Sequence, residues 1–328
     1  MKPFAYQRPT DPAAAVTTVT GDADARYLGG GTNLVDLMKL GVEQPRTLVD
    51  VTGLPHDEIV YGDTGLRLGA LSRNSDVAAH PYVRTHYPLV SQAILAGASG
   101  QLRNVATTGG NLLQRTRCTY FMDTGKPCNK REPGSGCAAR EGKHFNHAIL
   151  GATAHCIATH PSDLVVALAA LDARVDVLGT DGSREVALAD FYLPVGDTPD
   201  HETALGHGEL ITAVLLPRPP VGARSTYRKV RERASYAFAI GSIAALVRVD
   251  DGVLVDVRLA LGAVASHPWR ARRAEAALNG SEPGLEAFEA AAEAELAAAE
   301  PLVDNAYKVP LMRELIVSTL AELTEVSR

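Results

Sequence analysis

The chain has 328 residues, of which 46% are hydrophobic and 21% are charged, so it can bury a full core and is neither disordered nor fibrous. Lys and Arg total 32 against 38 Asp and Glu, giving a formal charge of -6 that argues against a nucleic-acid partner. The longest apolar runs, residues 164–171 and 237–247, are far shorter than the roughly 18 to 20 residues of a membrane span. No signal-peptide pattern begins the chain, which predicts a cytoplasmic location.

The first two thirds of the chain carry a mixed pattern of strands and helices. Strands are predicted at residues 26–28, 48–51, 66–71 and 174–178. Helices are predicted after residue 33, after Ser72, at residues 90–95, and at residues 163–171 with Ser162 as the N-cap. Periodicity is absent from residue 115 to residue 155, and a loop of that length inside a domain is usually functional or disordered.

The proline-rich segment 217–220 is the candidate linker, which predicts two domains at residues 1–218 and 222–328. Beyond the linker, strands at residues 239–249 and 253–261 flank a turn at Asp250-Asp251-Gly252, a pattern typical of a hairpin. Helices are predicted at residues 268–278, 285–299 and 310–325. We expect Trp269 to serve packing or an interface, and the glutamates at positions 286, 289, 293 and 295 to form a solvated helix face.

Two glycine turns are candidates for binding an anion. The first, Leu28-Gly29-Gly30-Gly31-Thr32-Asn33-Leu34, lies between a predicted strand and helix, where consecutive backbone amides can cradle a pyrophosphate. The second, Thr107-Thr108-Gly109-Gly110-Asn111, repeats the pattern later in the chain. Neither matches the Rossmann or P-loop spacing, and a plain tight turn explains either one alone. Together they suggest one extended ligand held from both sides.

The four cysteines, Cys118, Cys128, Cys137 and Cys156, all lie within 39 residues, in the unpatterned loop or directly after it. Their spacings of 9, 8 and 18 intervening residues contain no C-x-x-C pair, unlike a zinc ribbon or a bacterial ferredoxin. Two disulfides, a zinc site that recruits nearby histidines, an iron–sulfur cluster and free thiols are all compatible with this pattern.

The two glycine turns resemble the paired pyrophosphate signatures of the flavin-binding subunits in the xanthine dehydrogenase and carbon monoxide dehydrogenase family. Three further segments match the FAD subunit of the aromatic aldehyde oxidoreductase type, which has an inserted iron–sulfur loop. They are residues 111–118, 127–131 and 133–137. Residues 227–233 also fit, so that the similarity covers nearly the whole chain. The resemblance implies an α+β fold in which a two-subdomain FAD-binding domain, similar to vanillyl alcohol oxidase, precedes a smaller C-terminal domain of sheet and helices.

The resemblance also implies which residues bind FAD. The pyrophosphate would be held by Leu28, Gly29, Gly30, Gly31, Thr32, Asn33 and Leu34, together with Thr107, Thr108, Gly109, Gly110 and Asn111. Asp163 would contact the nucleotide, and Ile211 and Lys229 would lie near the isoalloxazine ring. The first turn departs from the commoner family pattern at Gly29 and Asn33, and the second departs from it at Thr108.

By the same resemblance, Cys118, Cys128, Cys137 and Cys156 become the four thiolate ligands of a 4Fe-4S cluster in a loop at about residues 112–158. Lys and Arg side chains are frequent in this loop, and their positive charge would favour thiolates.

The function implied is electron transfer within a heterotrimeric molybdenum hydroxylase that oxidises an aldehyde. A molybdopterin-binding large subunit and a 2Fe-2S small subunit would supply electrons, and an external acceptor would remove them. No residue of this chain need act as an acid or base on the organic substrate, so none is predicted to be catalytic.

A periplasmic location by co-export with a partner subunit is an alternative to the cytoplasm. Two other functions remain open: a self-contained FAD oxidase, and a zinc-stabilised binding subunit without catalytic activity.

Overall fold

The computed structural model describes residues 1–327, whose strands form three sheets. The strands in chain order are β1 (Ala5–Gln7), β2 (Ala25–Leu28), β3 (Thr47–Asp50), β4 (Ile59–Gly62), β5 (Gly65–Gly69), β6 (Arg174–Gly179), β7 (Gly182–Ala187), β8 (Leu210–Leu216), β9 (Arg224–Val230), β10 (Gly241–Asp250), β11 (Val253–Gly262) and β12 (Trp269–Arg270). The first sheet is parallel with the order β1-β3-β2. The other two are antiparallel, with the orders β4-β5-β8-β6-β7 and β12-β11-β10-β9.

Helices cover these sheets and connect their strands. In chain order they are α1 (Pro12–Thr20), α2 (Leu34–Leu40), α3 (Asn74–Ala79), α4 (Pro81–His86), α5 (Pro88–Ala96), α6 (Gly100–Arg103), α7 (Thr108–Leu112), α8 (Thr119–Met122), α9 (Asp163–Ala170), α10 (Leu188–Phe191), α11 (Arg272–Leu278), α12 (Leu285–Leu296) and α13 (Lys308–Thr324). A 3-10 turn, Val303–Asn305, precedes α13. No helix within residues 1–327 is long and apolar enough to span a bilayer.

Local sequence signals predicted six of the twelve strands and seven of the thirteen α-helices among residues 1–327. The turn at Asp251-Gly252 joins β10 to β11 as an antiparallel hairpin, which confirms that prediction. Ser162 caps α9, since its Oγ accepts a hydrogen bond of 3.2 Å from the Val165 amide. The helix predicted from residue 268 was wrong in its first part, because Trp269 pairs with β11 in strand β12 before α11 begins.

The expected solvated face of α12 was wrong for one residue, Glu295, which is only 2% exposed. Its carboxylate accepts hydrogen bonds of 2.8 Å from the indole Nε1 of Trp269 and of 2.9 Å from the Arg273 amide. The carboxylate therefore ties α12 to β12 and to the start of α11, and its buried charge is satisfied by donors that the helical pattern does not reveal.

Three apolar cores hold the sheets together. A small core packs α1 against the parallel sheet, and a large one lies under α12 and α13 on the four-stranded sheet. The third packs α5 and α9 on the five-stranded sheet and extends to Ala244 and Leu246 of β10. A Cβ on Gly262 of β11 would lie 2.6 Å from Val166 Cγ2, so α9 approaches the four-stranded sheet closely. The two predicted domains thus share one core along α9.

Residues 123–162, between α8 and α9, contain no helix or strand. This agrees with the sequence prediction for residues 115–155 except at Thr119–Met122, which form α8. The mixed helix-and-sheet class is confirmed, whereas the more specific similarity to vanillyl alcohol oxidase and the domain boundaries stay predictions.

Candidate functional site

A large cleft opens where the two glycine turns meet the N-terminus of α9 and the end of β9. We call it the cofactor cleft. Its volume is about 660 Å³, within the range of pockets that enclose a cofactor-sized ligand. Its walls include Thr32, Asn33, Gly110, Asn111, Asp163 and Lys229, all predicted from the sequence. The tertiary structure therefore brings residues from both turns and from both predicted domains to one cavity.

Glycine is required in the first turn because two chain segments approach each other there. A Cβ on Gly30 would lie 2.1 Å from the carbonyl oxygen of Val105, a distance no side chain tolerates. Gly31 has a φ of 71°, in the left-handed region that favours glycine. The turn is also tied to the chain beyond the second turn, since the Arg115 amide donates a 2.8 Å hydrogen bond to Asn33 Oδ1.

The second turn is organised by its own side chains. Thr107 caps α7, with its Oγ1 accepting a 3.2 Å hydrogen bond from the Gly110 amide. Asn111 accepts through Oδ1 from the hydroxyl of Ser162, the residue that caps α9. Near its end, α7 is thus held to the start of α9 at the edge of the cofactor cleft, where the N-terminus of α9 favours an anion.

Other predicted FAD residues occupy different positions. Gly29, Gly30 and Thr107 line a smaller neighbouring cavity. Thr108 is fully buried and donates its hydroxyl to Ser72 O, and Gly109 packs against Ala70. Leu28, Gly31, Leu34 and Ile211 are not among the residues that line the cofactor cleft. Ile211 in particular lies in β8, is 4% exposed and belongs to the core, so its role at the flavin stays a prediction without a cleft contact.

Asp163, Lys229 and Tyr227 form one buried polar cluster on the cofactor cleft. Lys229 Nζ lies 2.8 Å from Asp163 Oδ2 and also donates to the carbonyl of Ala96 at 3.1 Å. The Tyr227 hydroxyl donates to Asp163 Oδ1, and burial together with the Asp163 charge raises the tyrosine pKa far above its usual value. The carboxylate therefore has partners on both oxygens and is held rigidly at the start of α9.

Three arginines that were not predicted to bind FAD also line the cofactor cleft, namely Arg103, Arg117 and Arg233. Burial lowers the pKa of Arg117, and its guanidinium lies over the ring of Phe238, 5.2 Å from the ring centroid. Three guanidinium groups suit the charge of a pyrophosphate. Arg233 lies within residues 227–233, a segment that fits the family resemblance, so the sequence could have indicated its place on the cleft.

A second cavity adjoins the cofactor cleft on the side of the unpatterned loop, and we call it the side cavity. Five residues line both, which makes the two spaces neighbours: Arg117, Asn146, Pro161, Asp163 and Phe238. The side cavity also reaches Cys118 and His147.

All four cysteines line a third, small cavity, which we call the cysteine cavity. Their thiols are free, Cys128 and Cys156 are buried, and Cys118 and Cys137 are partly buried. Cys128 and Cys137 face each other across an antiparallel bridge, closed by a 2.7 Å hydrogen bond from the Asn129 amide to Gly136 O. Burial raises the pKa of the Cys118 thiol to about 11. Within residues 1–327, no group of three or more His, Cys, Asp or Glu side chains is arranged to hold a metal ion.

Charged residues brace the cysteine cavity. Burial raises the pKa of Cys156, and the charge of Lys130 opposes that rise. Lys130 Nζ donates at 2.8 Å both to Glu202 Oε1 and to the Pro199 carbonyl. Glu202 also pairs with Arg115, whose amide holds Asn33 of the first glycine turn. One carboxylate therefore links the cysteine loop to the cofactor cleft.

Comparison with known proteins agrees with this arrangement. Residues 2–219 match the family described as the FAD binding domain in molybdopterin dehydrogenase, and residues 196–323 match the CO dehydrogenase flavoprotein C-terminal domain. The chain belongs to this family of FAD-binding oxidoreductase subunits.

Individual relatives define the family more narrowly. The chain is 52% identical, over 98% of both chains, to the aldehyde oxidoreductase FAD-binding subunit PaoB of Escherichia coli. It is 26% identical to the glyceraldehyde dehydrogenase medium chain of Sulfolobus acidocaldarius, over 83% of this chain and 79% of that one. Among solved structures, a carbon monoxide dehydrogenase from Hydrogenophaga pseudoflava superposes with a TM-score of 0.77 at 26% identity, covering 98% of this chain and 97% of that chain. The fold and the FAD cofactor are thereby established.

Proposed function

We propose that this chain is the FAD-binding electron-transfer subunit of a molybdenum-dependent aldehyde oxidoreductase and that its cysteine loop holds a 4Fe-4S cluster. The observation that carries the first part is the 52% identity over 98% of both chains to an aldehyde oxidoreductase FAD-binding subunit. The second part is supported by four free cysteines on a single cavity beside the cofactor cleft.

The residues on the cofactor cleft suit FAD. Thr32 and Asn33 bring the first glycine turn to the cleft wall, where its backbone amides would suit a pyrophosphate, and arginine side chains on the cleft add compensating charge. The amides of residues 108–111 in the second turn instead donate to Ser72, Ala70 and Thr107. When FAD is bound, its isoalloxazine supplies the redox chemistry, and the protein supplies binding, orientation and electrostatics. Asp163 and Lys229 carry opposite charges and neutralise each other, so they position a cofactor without adding net charge to the cleft.

The cysteine cavity suits an iron–sulfur cluster in ligand number and type. Such a cluster takes four thiolates, and each cysteine of the chain reaches the cavity. Lys130, whose side chain is 4% exposed, adds positive charge next to Cys156, which favours the thiolate form. The cost of burying four thiolates would be offset by the metal and by this cation.

The expected partners are a molybdopterin-binding large subunit, a 2Fe-2S small subunit and an external electron acceptor. The relatives in this family are themselves named as subunits or medium chains, which is consistent with a component of a larger complex. The proposed compartment is the cytoplasm or, by co-export with a partner subunit, the periplasm.

The test is an anaerobic absorption spectrum of the purified protein with quantification of flavin, iron and zinc. We expect flavin peaks above a broad iron–sulfur shoulder, about four irons per FAD, and loss of that iron in the Cys128→Ser variant. Flavin without iron would overturn the cluster assignment and favour a self-contained FAD oxidase. Zinc in place of both flavin and iron would overturn the assignment as an electron-transfer subunit.

A further inference from the structure

One histidine of the unpatterned loop contacts a cysteine sulfur. His147 Nε2 lies 3.2 Å from Cys118 Sγ, within hydrogen-bond distance for sulfur. A metal-bound thiolate can only accept a hydrogen bond, so Nε2 must carry the hydrogen. The other ring nitrogen, Nδ1, is buried without a hydrogen-bond partner among residues 1–327. The sulfur is therefore the one polar partner of this imidazole in the part of the chain that the structure describes.

The C-terminal domain holds this histidine in place. The carbonyl oxygen of His147 accepts hydrogen bonds of 3.0 Å from Lys308 Nζ and 3.3 Å from Asn305 Nδ2. Asn305 Nδ2 also donates to the next carbonyl, that of Ala148, at 3.0 Å. Both donors are fully buried. Two polar side chains removed from water thus fix the loop backbone at residues 147 and 148, and their burial is compensated by these hydrogen bonds.

Lys308 has a second role in this arrangement. Its Nζ also donates to Ala263 O at 2.8 Å, and within residues 1–327 it forms no ion pair. A buried ammonium without a carboxylate is rare in proteins, and burial lowers the pKa of Lys308 to about 7.

Cys118 occupies a special position among the four cysteines, because it lines both the cysteine cavity and the side cavity beside the cofactor cleft. A hydrogen bond to this sulfur therefore acts on the edge of the cysteine cavity that faces the cofactor cleft. Hydrogen bonds to cluster sulfurs are one of the factors that set the reduction potential of an iron–sulfur centre.

We infer that His147 is a positioning residue that donates a hydrogen bond to the Cys118 thiolate and raises the reduction potential of the cluster, with Asn305 and Lys308 holding the donor in place. The sign follows from charge, since the reduced state places more negative charge on sulfur and is stabilised more by the donor. The inference rests on the proposed 4Fe-4S cluster and adds to it a role for a residue that is not a ligand.

The experiment is a redox titration of the purified holoprotein followed by electron paramagnetic resonance. His147→Phe removes the donor and keeps an aromatic ring, and we expect the midpoint potential of the cluster to fall while that of the flavin is unchanged. His147→Gln restores an N–H donor and should recover part of the shift. The matched control is His155→Phe, because His155 adjoins Cys156 but directs its ring to Asp197 at the surface, 3.3 Å away.

An unchanged cluster potential in a His147→Phe protein with full iron content would overturn the inference. If that variant fails to fold, electron paramagnetic resonance of the wild-type protein with 15N-labelled histidine tests the inference instead. A nitrogen coupled weakly to the reduced cluster supports the hydrogen bond, and no histidine coupling refutes it. Wild-type protein without iron would instead refute the proposed cluster itself, an outcome that the iron measurement identifies before any variant is made.

Discussion

Lys229 and Asp163 form a buried ion pair across the two halves of the chain, with 2.8 Å between Nζ and Oδ2. Their side chains are 4% and 9% exposed. The pair joins β9 to the N-terminus of α9, at the point where the shared core meets the cofactor cleft. Both residues were predicted to contact the flavin, but no sequence pattern predicted that they contact each other.

The first prediction concerns this pair. Lys229→Met leaves Asp163 as a buried charge without its cation, a change that typically costs about 3–5 kcal/mol in unfolding free energy. Adding Asp163→Asn removes the orphaned charge, so the double variant should be more stable than Lys229→Met alone. Chemical denaturation of the wild type, the two single variants and the double variant measures this coupling, and strictly additive effects would contradict it.

The second prediction concerns Glu202 and pH. Burial tends to raise the pKa of Glu202, but Arg115 and Lys130 outweigh it and hold that pKa below the usual 4.5. A lowered pKa means that the ionised carboxylate stabilises the fold above about pH 4.5 and that this contribution is lost as the pH falls further. The difference in thermal midpoint between wild type and Glu202→Gln should therefore shrink from about pH 6 to about pH 3.5.

The matched control for Glu202 is Asp197→Asn, which removes a carboxylate that is 93% exposed. Its thermal midpoint should follow that of the wild type at each pH, since exposed charges contribute little. If the difference in thermal midpoint between wild type and Glu202→Gln stays constant with pH, the Glu202 carboxylate does not stabilise the fold through its charge.

The third prediction concerns the first glycine turn. Gly30→Ala places a Cβ 2.1 Å from Val105 O, so the turn must move away from residues 105–107. We expect a destabilisation of about 1–3 kcal/mol and a lower flavin-to-protein absorbance ratio. Gly100→Ala is the control because no atom lies within 4 Å of the position that its new Cβ would take, and it should retain wild-type flavin content.

The fourth prediction concerns the buried glutamate of α12. Glu295→Ala removes the acceptor of the Trp269 indole and of two backbone amides, and unsatisfied buried donors cost about 1–3 kcal/mol each. Denaturation followed by the fluorescence of Trp269, the one tryptophan of the chain, measures the loss. Glu286→Ala, on the exposed face of the same helix, should change stability by less than about 0.5 kcal/mol.

The sequence alone determined the features that depend on neighbours along the chain. The glycine turn after β2, the Ser162 cap of α9 and the hairpin turn at Asp251-Gly252 are set by backbone preferences and side-chain hydrogen bonds within a few residues. The cysteine-rich loop and the resemblance to flavin-binding subunits could also be recognised from the sequence, because both depend only on residue identity and spacing.

The tertiary structure decided the contacts between residues far apart in the chain. Cys118 meets His147, and Glu295 is buried against Trp269, only because separate elements pack around common cores. Periodicity reports which face of a helix is apolar, but it does not report which polar group on that face finds a distant donor. Such pairings depend on how the sheets and α9 pack together, and the polar environment of the cofactor cleft and the cysteine cavity follows from that packing.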